Sequence, residues 1–384
     1  MTAADVLPGD GSDATLVARV YDPAAGGPCV AAVRGDRVAD LTPVAPTVAD
    51  LIERDDPTAI VRGCRTDRTW PLADLLAAAP GGDRPHLLAP CDLQVIKACG
   101  VTFARSLLER LIEERAEGDP ARAEAVRARV QDVVGAAVGD LEPGSAEAER
   151  VKDLLVAEGL WSQYLEVGIG PDAEVFTKTP VLAAVGPGAH IGILRQSSWN
   201  NPEPEVALAV DSQGRAVGAT LANDVNLRDV EGRSALLLPR AKDNNASCAV
   251  GPFIRLFDGG FGMDDVRNLE ITLTVTGADG YVLEGHSSMA EISRDPEELI
   301  GHAMGRHHQY PDGMILLTGT LFAPTEDRDV PGEGFTHKPG DLVRITSPRL
   351  GGLVNVVTYS EDAPPWTYGI RDLMSNLATR GLLR

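Results

Sequence analysis

The 384-residue sequence has few basic residues for its length, and this shortage excludes a class of functions. Lysine and arginine together number 35, against 56 aspartates and glutamates, which gives a formal net charge of −21 at pH 7. Nucleic-acid binding depends on clustered lysines and arginines that neutralise phosphates, and the sequence contains no basic run. We therefore expect no nucleic-acid partner. An anionic substrate would need a local cation or metal ion to hold it, because a negative surface repels small anions.

Cysteines and long hydrophobic runs are scarce as well. The five cysteines are odd in number, widely spread and without a Cys-x-x-Cys pair, which fits neither a disulfide framework nor a zinc ribbon. No apolar run reaches the roughly 18–20 residues that a membrane-spanning helix needs, so we expect no membrane partner. The first residues lack a basic region followed by an apolar stretch, the pattern of a secretory signal. We expect a cytoplasmic protein.

Residue patterning predicts two domains and a fold of the α+β class that is mainly β. Residues 1–90 alternate apolar and polar positions between glycine-containing turns and are predicted to form a small N-terminal α+β domain. Residues 91–384 are predicted to form the larger domain, with β-branched and alternating runs over 174–358. Within it, residues 104–165 carry apolar positions three or four apart, which predicts a helical insertion. Such an insertion acts as a lid or a subunit contact, or packs as a layer on the core.

Two glutamates separated by one residue are the most informative local feature. They lie in the segment WNNPEPEV. Side chains at positions i and i+2 of a strand point to the same face, so Glu203 and Glu205 are predicted to lie together. Two carboxylates this close repel each other unless a cation lies between them. Pro202 and Pro204 cannot donate ladder hydrogen bonds and therefore mark the beginning or the edge of a strand.

The residues that follow predict a hairpin that adds a third carboxylate. Residues 206–210 and 216–223 have strand character, and 211–215 form a polar turn between them. Folding about this turn places Asp224 beside residues 201–203, within one position of register. Three carboxylates without histidine or cysteine suit Mg²⁺ or Mn²⁺ better than zinc. The alternative is a solvated acidic edge, which an acidic protein has in abundance.

The order of several motifs resembles the fumarylacetoacetate hydrolase superfamily. PEPEVALAV, GATLANDVNLRD, a lysine before GPF, LLTGT, and KPGD with LGGLVN carry the resemblance, which spans residues 90–384. It implies a mixed β-sandwich roll with a small N-terminal domain, assembled as a homo-oligomer, either a dimer or a dimer of dimers. The metal ligands that it implies for Mg²⁺ or Mn²⁺ are Glu203, Glu205 and Asp224, and the substrate-binding residues are Lys242 and Thr320.

One position departs from the pattern of the family's hydrolases. Those enzymes place a histidine and a glutamate three residues apart, shortly after a Gly-Leu-Asn-Tyr motif, and this dyad activates water. Here Ser106 stands where the histidine would be, whereas Glu109 matches the glutamate. A serine does not act as a general base near neutral pH without a partner base. The departure argues against water attack on a carbon–carbon bond, and we assign Ser106 to substrate binding.

Other segments resemble a dehydratase branch of the same superfamily. These are the GVTF variant, the helical insertion, and the runs KDNNASCAVGPF, HQYPDG and FAPTEDRD. The resemblance implies Mg²⁺-dependent dehydration of a keto acid, a 2-keto-3-deoxy-pentonate such as 2-keto-3-deoxy-D-xylonate, to 2,5-dioxopentanoate in non-phosphorylative pentose breakdown.

Two residues are candidates for catalysis in this reaction. Glu109 is the predicted proton-transfer residue, and its alternative is an exposed glutamate on a helix. Lys242 is predicted to hold the substrate carboxylate or the enolate oxygen.

The alternative function is a C–C hydrolase of acylpyruvates or 2,4-diketo acids, and a third hypothesis is a non-catalytic binding or assembly protein.

Overall fold

The structure is a computed structural model that describes residues 1–11, 13–117, 119, 122–123, 141–157, 161–322, 324–331 and 333–383. The side chains of residues 104–106 and 108 are not among those described. The strands within these ranges are β1 (Leu16–Asp22), β2 (Gly27–Arg34), β3 (Arg37–Asp40), β4 (Thr69–Pro71), β5 (His86–Leu88), β6 (Val95–Gly100), β7 (Glu174–Thr179), β8 (His190–Ile193), β9 (Asn200–Asn201), β10 (Pro204–Val210), β11 (Ala216–Asp224), β12 (Asn226–Leu227), β13 (Cys248–Leu256), β14 (Glu270–Thr276), β15 (Val282–Ser288), β16 (Met314–Leu317), β17 (Leu342–Ser347) and β18 (Gly351–Tyr359).

The described helices are short and lie mostly between strands. They are α1 (Ala3–Val6), α2 (Val48–Ile52), α3 (Pro57–Gly63), α4 (Leu72–Ala77), α5 (Ala104–Arg115), α6 (Ala146–Ala157), α7 (Gln163–Ile169), α8 (Arg228–Glu231), α9 (Leu238–Lys242), α10 (Met263–Val266), α11 (Pro296–Ala303) and α12 (Ile370–Thr379). None of them combines the length and the hydrophobicity that crossing a bilayer requires.

Two large sheets form the body of the molecule. An 11-stranded sheet has the order β4-β3-β2-β1-β13-β11-β10-β16-β6-β7, with β5 also paired to β1. A 5-stranded sheet has the order β15-β14-β17-β18-β8, and β9 pairs with β12 in a small ribbon. The pairs β16–β6 and β18–β8 are parallel, and the other described pairs are antiparallel.

The central strand β10 is buried on both faces because the 11-stranded sheet is covered on both sides. Val206, Leu208 and Val210 belong to the core that it shares with the 5-stranded sheet. Ala207 and Ala209 face the opposite way and pack in the cluster that contains residues of α2 and α3. This alternation with period two is what a strand requires. The predicted α+β, mainly β sandwich architecture is confirmed.

The N-terminal strands continue the central sheet. Leu16 of β1 pairs with Arg255 of β13, so β1 to β4 are joined to the core by ladder hydrogen bonds. Helix α2 begins at an N-cap in which the Thr47 hydroxyl accepts a hydrogen bond from the Asp50 amide at 2.9 Å, and the Asp50 carboxylate accepts one from the Thr47 amide. The division into domains near residue 90 stays a prediction.

Helices α5, α6 and α7 occupy the segment in which the sequence predicts an insertion. They share a separate apolar cluster with members such as Leu111, Leu155 and Leu165. Helix α6 follows Ser145, whose hydroxyl accepts a hydrogen bond from the Ala148 amide at 3.1 Å, as an N-cap does. Residues 118, 120–121, 124–140 and 158–160 of the predicted insertion lie outside the described residues.

Candidate metal centre

The hairpin of β10 and β11 determines where the acidic side chains lie. Pro204 is paired with Asn223, and one position further along, the Asp224 amide donates a hydrogen bond to the Glu203 carbonyl oxygen at 3.0 Å. Asp224 is therefore opposite Glu203. The predicted placement of residue 224 beside residues 201–203 is confirmed.

Three carboxylates meet at the end of this hairpin. Glu203, Glu205 and Asp224 each offer one oxygen, and these oxygens all lie within 4.8 Å of one another. Each of the three residues is at most 1% exposed. Carboxylate oxygens without sulfur or imidazole form a donor set of the kind that Mg²⁺ and Mn²⁺ prefer. The structure thus brings the three predicted metal ligands together.

Buried cations compensate two of these three carboxylates. The Lys242 Nζ lies 2.6 Å from Glu203 Oε2 and 3.3 Å from Asp224 Oδ2. The Lys178 Nζ lies 2.7 Å from Asp224 Oδ1, and the Arg110 guanidinium contacts Glu203 Oε1. Burial alone would raise the pKa of Glu203, but Arg110 and Lys242 outweigh it and hold this pKa at about 2. Glu203 is therefore a charged carboxylate at neutral pH.

Glu205 is the exception, and its surroundings test whether a metal ion fits. It accepts hydrogen bonds from the Gly319 amide at 2.8 Å and the Thr320 hydroxyl at 3.3 Å. Among the described residues, no lysine or arginine nitrogen comes within 4.0 Å of its carboxylate. Burial, and after it the carboxylates of Asp224 and Glu203, raises the pKa of Glu205 well above its ordinary value. A divalent cation would supply the missing compensation, so the residues fit such an ion.

The Gly-Thr motif after β16 has a local physical reason. Gly319 has φ +107°, and a Cβ there would lie 1.9 Å from the Thr102 Oγ1, so only glycine fits. This close approach turns the Gly319 amide toward Glu205, while the Thr320 hydroxyl donates to Glu203 Oε2 at 2.8 Å. Thr320, predicted to bind substrate, is thus placed directly on two of the acidic side chains.

A small cavity adjoins the acidic side chains, and further acids line it. Its polar walls include Arg110, Glu174, Glu231, Lys242 and Thr320. It has room for about one water molecule. Burial is the main cause that raises the pKa of Glu174, to about 7, and it also raises the pKa of Glu231. A pKa of about 7, as for Glu174, is typical of groups that exchange protons near neutral pH.

Strand β7 contributes residues that sequence reasoning missed. Glu174 and Phe176 line the cavity, and Lys178 is fully buried beneath Asp224. Their signal is the period of two, which places positions 174, 176 and 178 on one face of a strand. A glutamate and a lysine on the buried face of a strand need partners, and this need would have pointed to a functional site.

The residues predicted on the helical insertion have different outcomes. Ser106 lies in α5, and its side chain is outside the described part of the chain. Glu109 has a carboxylate oxygen 3.6 Å from the Arg228 Nη2 and is not among the described residues that line the cavity. Its role in proton transfer stays a prediction. The neighbouring residue Arg110 reaches the acidic side chains instead.

Ion pairs join helix α5 to the core. The Arg110 Nη1 lies 2.7 Å from Glu113 Oε2 and 3.0 Å from Glu231 Oε2. On its other oxygen, Glu113 is 2.7 Å from the Arg228 Nε. Arg228 also donates to the Pro324 carbonyl oxygen at 3.1 Å, which anchors the network to the loop after β16. Helix α5 therefore closes the site through charged side chains.

The charges of the whole cluster do not balance. The cluster contains more acids than cations: Glu109, Glu113, Glu174, Glu203, Glu205, Asp224 and Glu231 against Arg110, Lys178, Arg228 and Lys242. Buried charge without compensation is costly. A divalent cation bound to Glu203, Glu205 and Asp224 would offset part of this negative charge.

Curated relatives match about half of the chain. The "2-dehydro-3-deoxy-D-arabinonate dehydratase" of Saccharolobus solfataricus is 34% identical over 187 residues, which are 48% of this chain and 58% of that protein. The "Probable 2-keto-3-deoxyxylonate dehydratase" of Haloferax volcanii is 32% identical over 195 residues, 51% of this chain and 63% of that protein. In both cases the match spans less than two thirds of the relative's length.

Similarity to solved structures extends over most of the chain. The structure of "2-keto-3-deoxy-D-arabinonate dehydratase complexed with magnesium and 2,5-dioxopentanoate" covers 90% of this chain and 99% of its own, with a TM-score of 0.58 and 23% identity. At this identity the likeness concerns the fold. A family model described as the C-terminal domain of fumarylacetoacetate (FAA) hydrolase matches residues 161–358, which contain all three acidic residues of the hairpin. The chain belongs to the fumarylacetoacetate hydrolase family.

Proposed function

We propose that this chain is a Mg²⁺-dependent hydro-lyase that converts a 2-keto-3-deoxy-pentonate, such as 2-keto-3-deoxy-D-xylonate, into 2,5-dioxopentanoate. The observation that carries the proposal is a buried triad of carboxylates beside a cavity whose remaining polar walls are glutamates, a lysine, an arginine and a threonine. The names of the two curated relatives support the same reaction class.

Glu203, Glu205 and Asp224 are the residues that would hold the metal ion. When bound, Mg²⁺ or Mn²⁺ polarises the C2 ketone of an α-keto acid and makes the protons on C3 more acidic. The chain's contribution is to keep three oxygens together in a site from which solvent is excluded.

Lys242 is a cation that the chain itself provides for the substrate. Although burial lowers the pKa of a lysine, the Asp224 and Glu203 carboxylates hold the pKa of Lys242 above its ordinary value. Its ammonium group is therefore charged and points at the cavity wall. In this position it can donate a hydrogen bond to the carboxylate or to the developing enolate oxygen of a keto acid. The Thr320 hydroxyl lies on the same wall and can orient the substrate.

Proton transfer is the second requirement of dehydration. A base removes a proton from C3, the hydroxyl on C4 receives a proton and leaves as water, and tautomerisation gives the C5 aldehyde without net oxidation. Glu174 lines the cavity, and its pKa of about 7 suits a group that both accepts and donates protons at neutral pH. We propose Glu174 as a shuttle beside the predicted Glu109. No histidine is among the described residues of the cavity wall.

The direct test is product analysis with purified protein and Mg²⁺. We expect 2-keto-3-deoxy-D-xylonate to give 2,5-dioxopentanoate, detected as its hydrazone by mass spectrometry, and EDTA to abolish the reaction. Supplying both C4 epimers and the six-carbon homologue measures the substrate preference in the same assay. An Asp36→Asn variant, which changes an exposed carboxylate in the turn after β2, is the control and should react as the wild type does.

The competing activity is hydrolysis of an acylpyruvate. It releases pyruvate, which is measured with lactate dehydrogenase and NADH. Release of pyruvate without formation of the aldehyde acid would contradict the dehydratase assignment. Absence of any metal-dependent turnover would favour the third hypothesis, a non-catalytic protein. We also propose that the protein is cytoplasmic and forms a homo-oligomer, and light scattering coupled to size-exclusion chromatography tests the oligomeric state.

A further inference from the structure

The cavity beside the carboxylates is too small for the substrate that the proposed function requires. It has room for about one water molecule, whereas a five-carbon keto acid has ten heavy atoms. Part of its wall belongs to strands β6, β7 and β11 of the central sheet, which ladder hydrogen bonds hold in place. Three wall residues, Arg110, Glu231 and Lys242, come from helices α5, α8 and α9, and Arg110 reaches the cavity with a long side chain. Movement of the Arg110 side chain away from Glu203 would make space for a substrate beside the carboxylates.

The Arg110 guanidinium is paired with Glu203, a carboxylate that a metal ion would need as a ligand. Its guanidinium contacts Glu203 Oε1, and Lys242 already holds Glu203 Oε2 at 2.6 Å. Glu203 thus has a cation on each oxygen. A divalent ion bound to Glu203 would repel the guanidinium and compete with it for the same oxygens. Arg110 and the metal ion are consequently alternative partners of Glu203.

If the Arg110 guanidinium moved away from Glu203, it would not become exposed to solvent. Glu113 and Glu231 still hold its Nη1, at 2.7 Å and 3.0 Å, whereas the contact with Glu203 uses Nη2. The Nη2 edge would then face the cavity without its carboxylate partner. A guanidinium in that state binds a carboxylate well, because its N–H groups match the geometry of the two oxygens.

We propose that Arg110 binds the carboxylate of the keto-acid substrate, and that it becomes available for this role when a metal ion replaces it on Glu203. The identity of the anion rests on the proposed function, whereas the competition with the metal ion does not. Metal binding and substrate recognition are coupled in this way through one residue of helix α5. An anion is bound only when the divalent charge is already present.

Calorimetric titration of the metal-free protein with Mg²⁺ tests the competition without any turnover. Arg110→Gln removes the competing cation and should bind Mg²⁺ about 10-fold or more tightly than the wild type, the size of a lost charged hydrogen bond. Arg115→Gln, an exposed arginine on the same helix, is the matched control and should bind as the wild type does. Unchanged or weaker Mg²⁺ binding by Arg110→Gln would overturn the competition.

Titration of the Mg²⁺-loaded protein with pyruvate tests the substrate role. Pyruvate has the α-keto carboxylate and cannot undergo the dehydration. Its affinity should fall about 10- to 100-fold in Arg110→Gln, the range for hydrogen bonds to a charged group. Arg110→Lys retains the buried positive charge, so it should remain folded by circular dichroism, and it should bind pyruvate with intermediate affinity.

The outcomes separate this inference from the proposed function. Equal pyruvate affinity in the wild type, Arg110→Gln and Arg110→Lys would overturn the role of Arg110 and leave the dehydratase proposal intact. Failure of the loaded wild type to bind pyruvate, together with failure to dehydrate the keto sugar acid, would contradict the proposed function itself. Tighter Mg²⁺ and weaker pyruvate binding in Arg110→Gln supports both steps of the coupling.

Discussion

The site has two walls that are built by different physical means. The sheet wall consists of Glu203, Glu205 and Asp224, which the hairpin of β10 and β11 holds by backbone hydrogen bonds. The helix wall consists of Arg110 and Glu113 on α5, which charged side chains connect to the core. A ladder fixes its side chains at period two, whereas an ion pair can exchange partners. We infer that the sheet wall provides the metal ligands and that the helix wall responds to what is bound.

The largest expected effect concerns proton transfer, for which there are two candidate residues, one on the sheet and one on helix α5. Glu174 belongs to β7 of the sheet, and Glu109 belongs to α5. Glu174→Gln should lower kcat about 10²- to 10⁴-fold, the usual contribution of a general acid or base, with little change in Mg²⁺ affinity. Glu109→Gln should likewise lower turnover more than metal affinity if the helix supplies the shuttle.

Steady-state kinetics and Mg²⁺ titration of both variants decide between the walls. A large loss in Glu174→Gln alone assigns proton transfer to the sheet, and a large loss in Glu109→Gln alone assigns it to the helix. Wild-type rates in both variants would contradict the two hypotheses together.

A second prediction concerns the ion pairs that attach helix α5 to the core, which do not include the metal ligands. Arg228 is 1% exposed and joins Glu113 of α5 to the Pro324 carbonyl oxygen and the Trp199 ring. Arg228→Gln removes a positive charge beside the buried Glu113 carboxylate. The free energy of unfolding should therefore fall by about 3 kcal/mol, as for other broken buried ion pairs. Urea denaturation measures this change.

Hydrogen exchange of the same variant tests whether the sheet wall and the helix wall are independent. Amides of α5 should exchange hydrogen faster in Arg228→Gln, and those of β10 should not. Arg195→Gln, which removes an exposed ion pair with Asp362, is the control and should leave the stability close to that of the wild type. Equal acceleration in β10 and α5 would show that the two walls are not separable.

The smallest expected effect on stability is that of Glu205→Gln, which we compare with Asp224→Asn in the same sheet wall. Asp224 is paired with Lys178 and Lys242, whereas Glu205 has no described lysine or arginine beside it. Asp224→Asn should therefore destabilise the metal-free protein by about 3 kcal/mol. Glu205→Gln keeps an oxygen for the Gly319 amide and removes a repulsive charge, so stability should change by less than about 1 kcal/mol. Equal destabilisation by the two substitutions, measured with urea, would contradict this account of the charges.

The contrast between the walls also explains what the sequence could predict. The sheet wall was predictable because the spacing of Glu203 and Glu205 and the length of the turn determine the register, and the structure has Asp224 in the predicted place. The strand and helix classes followed from periodicity in the same way. The fold followed from the order of motifs, and the family model and the structural likeness agree with it.

The helix wall was not predictable, because the contacts of a charged helix depend on its rotation and on distant partners. Glu109 and Arg110 are neighbours in sequence, but only Arg110 lines the cavity among the residues that the structure describes. Arg228 and Glu231, which determine how α5 is held, lie more than a hundred residues away in the chain. The alternation of Glu174, Phe176 and Lys178 predicts a strand, but it does not show which distant residues this face of the strand contacts.

The measurement that most directly tests the account is calorimetric titration of the metal-free wild type and of Glu205→Gln with Mg²⁺. The wild type should bind one ion per chain, and Glu205→Gln, while still folded, should bind it at least about 100-fold more weakly, because a neutral amide oxygen replaces one of the three carboxylate ligands. Equal binding by the two proteins, or no binding by the wild type, would contradict the claim that these three carboxylates form a metal centre.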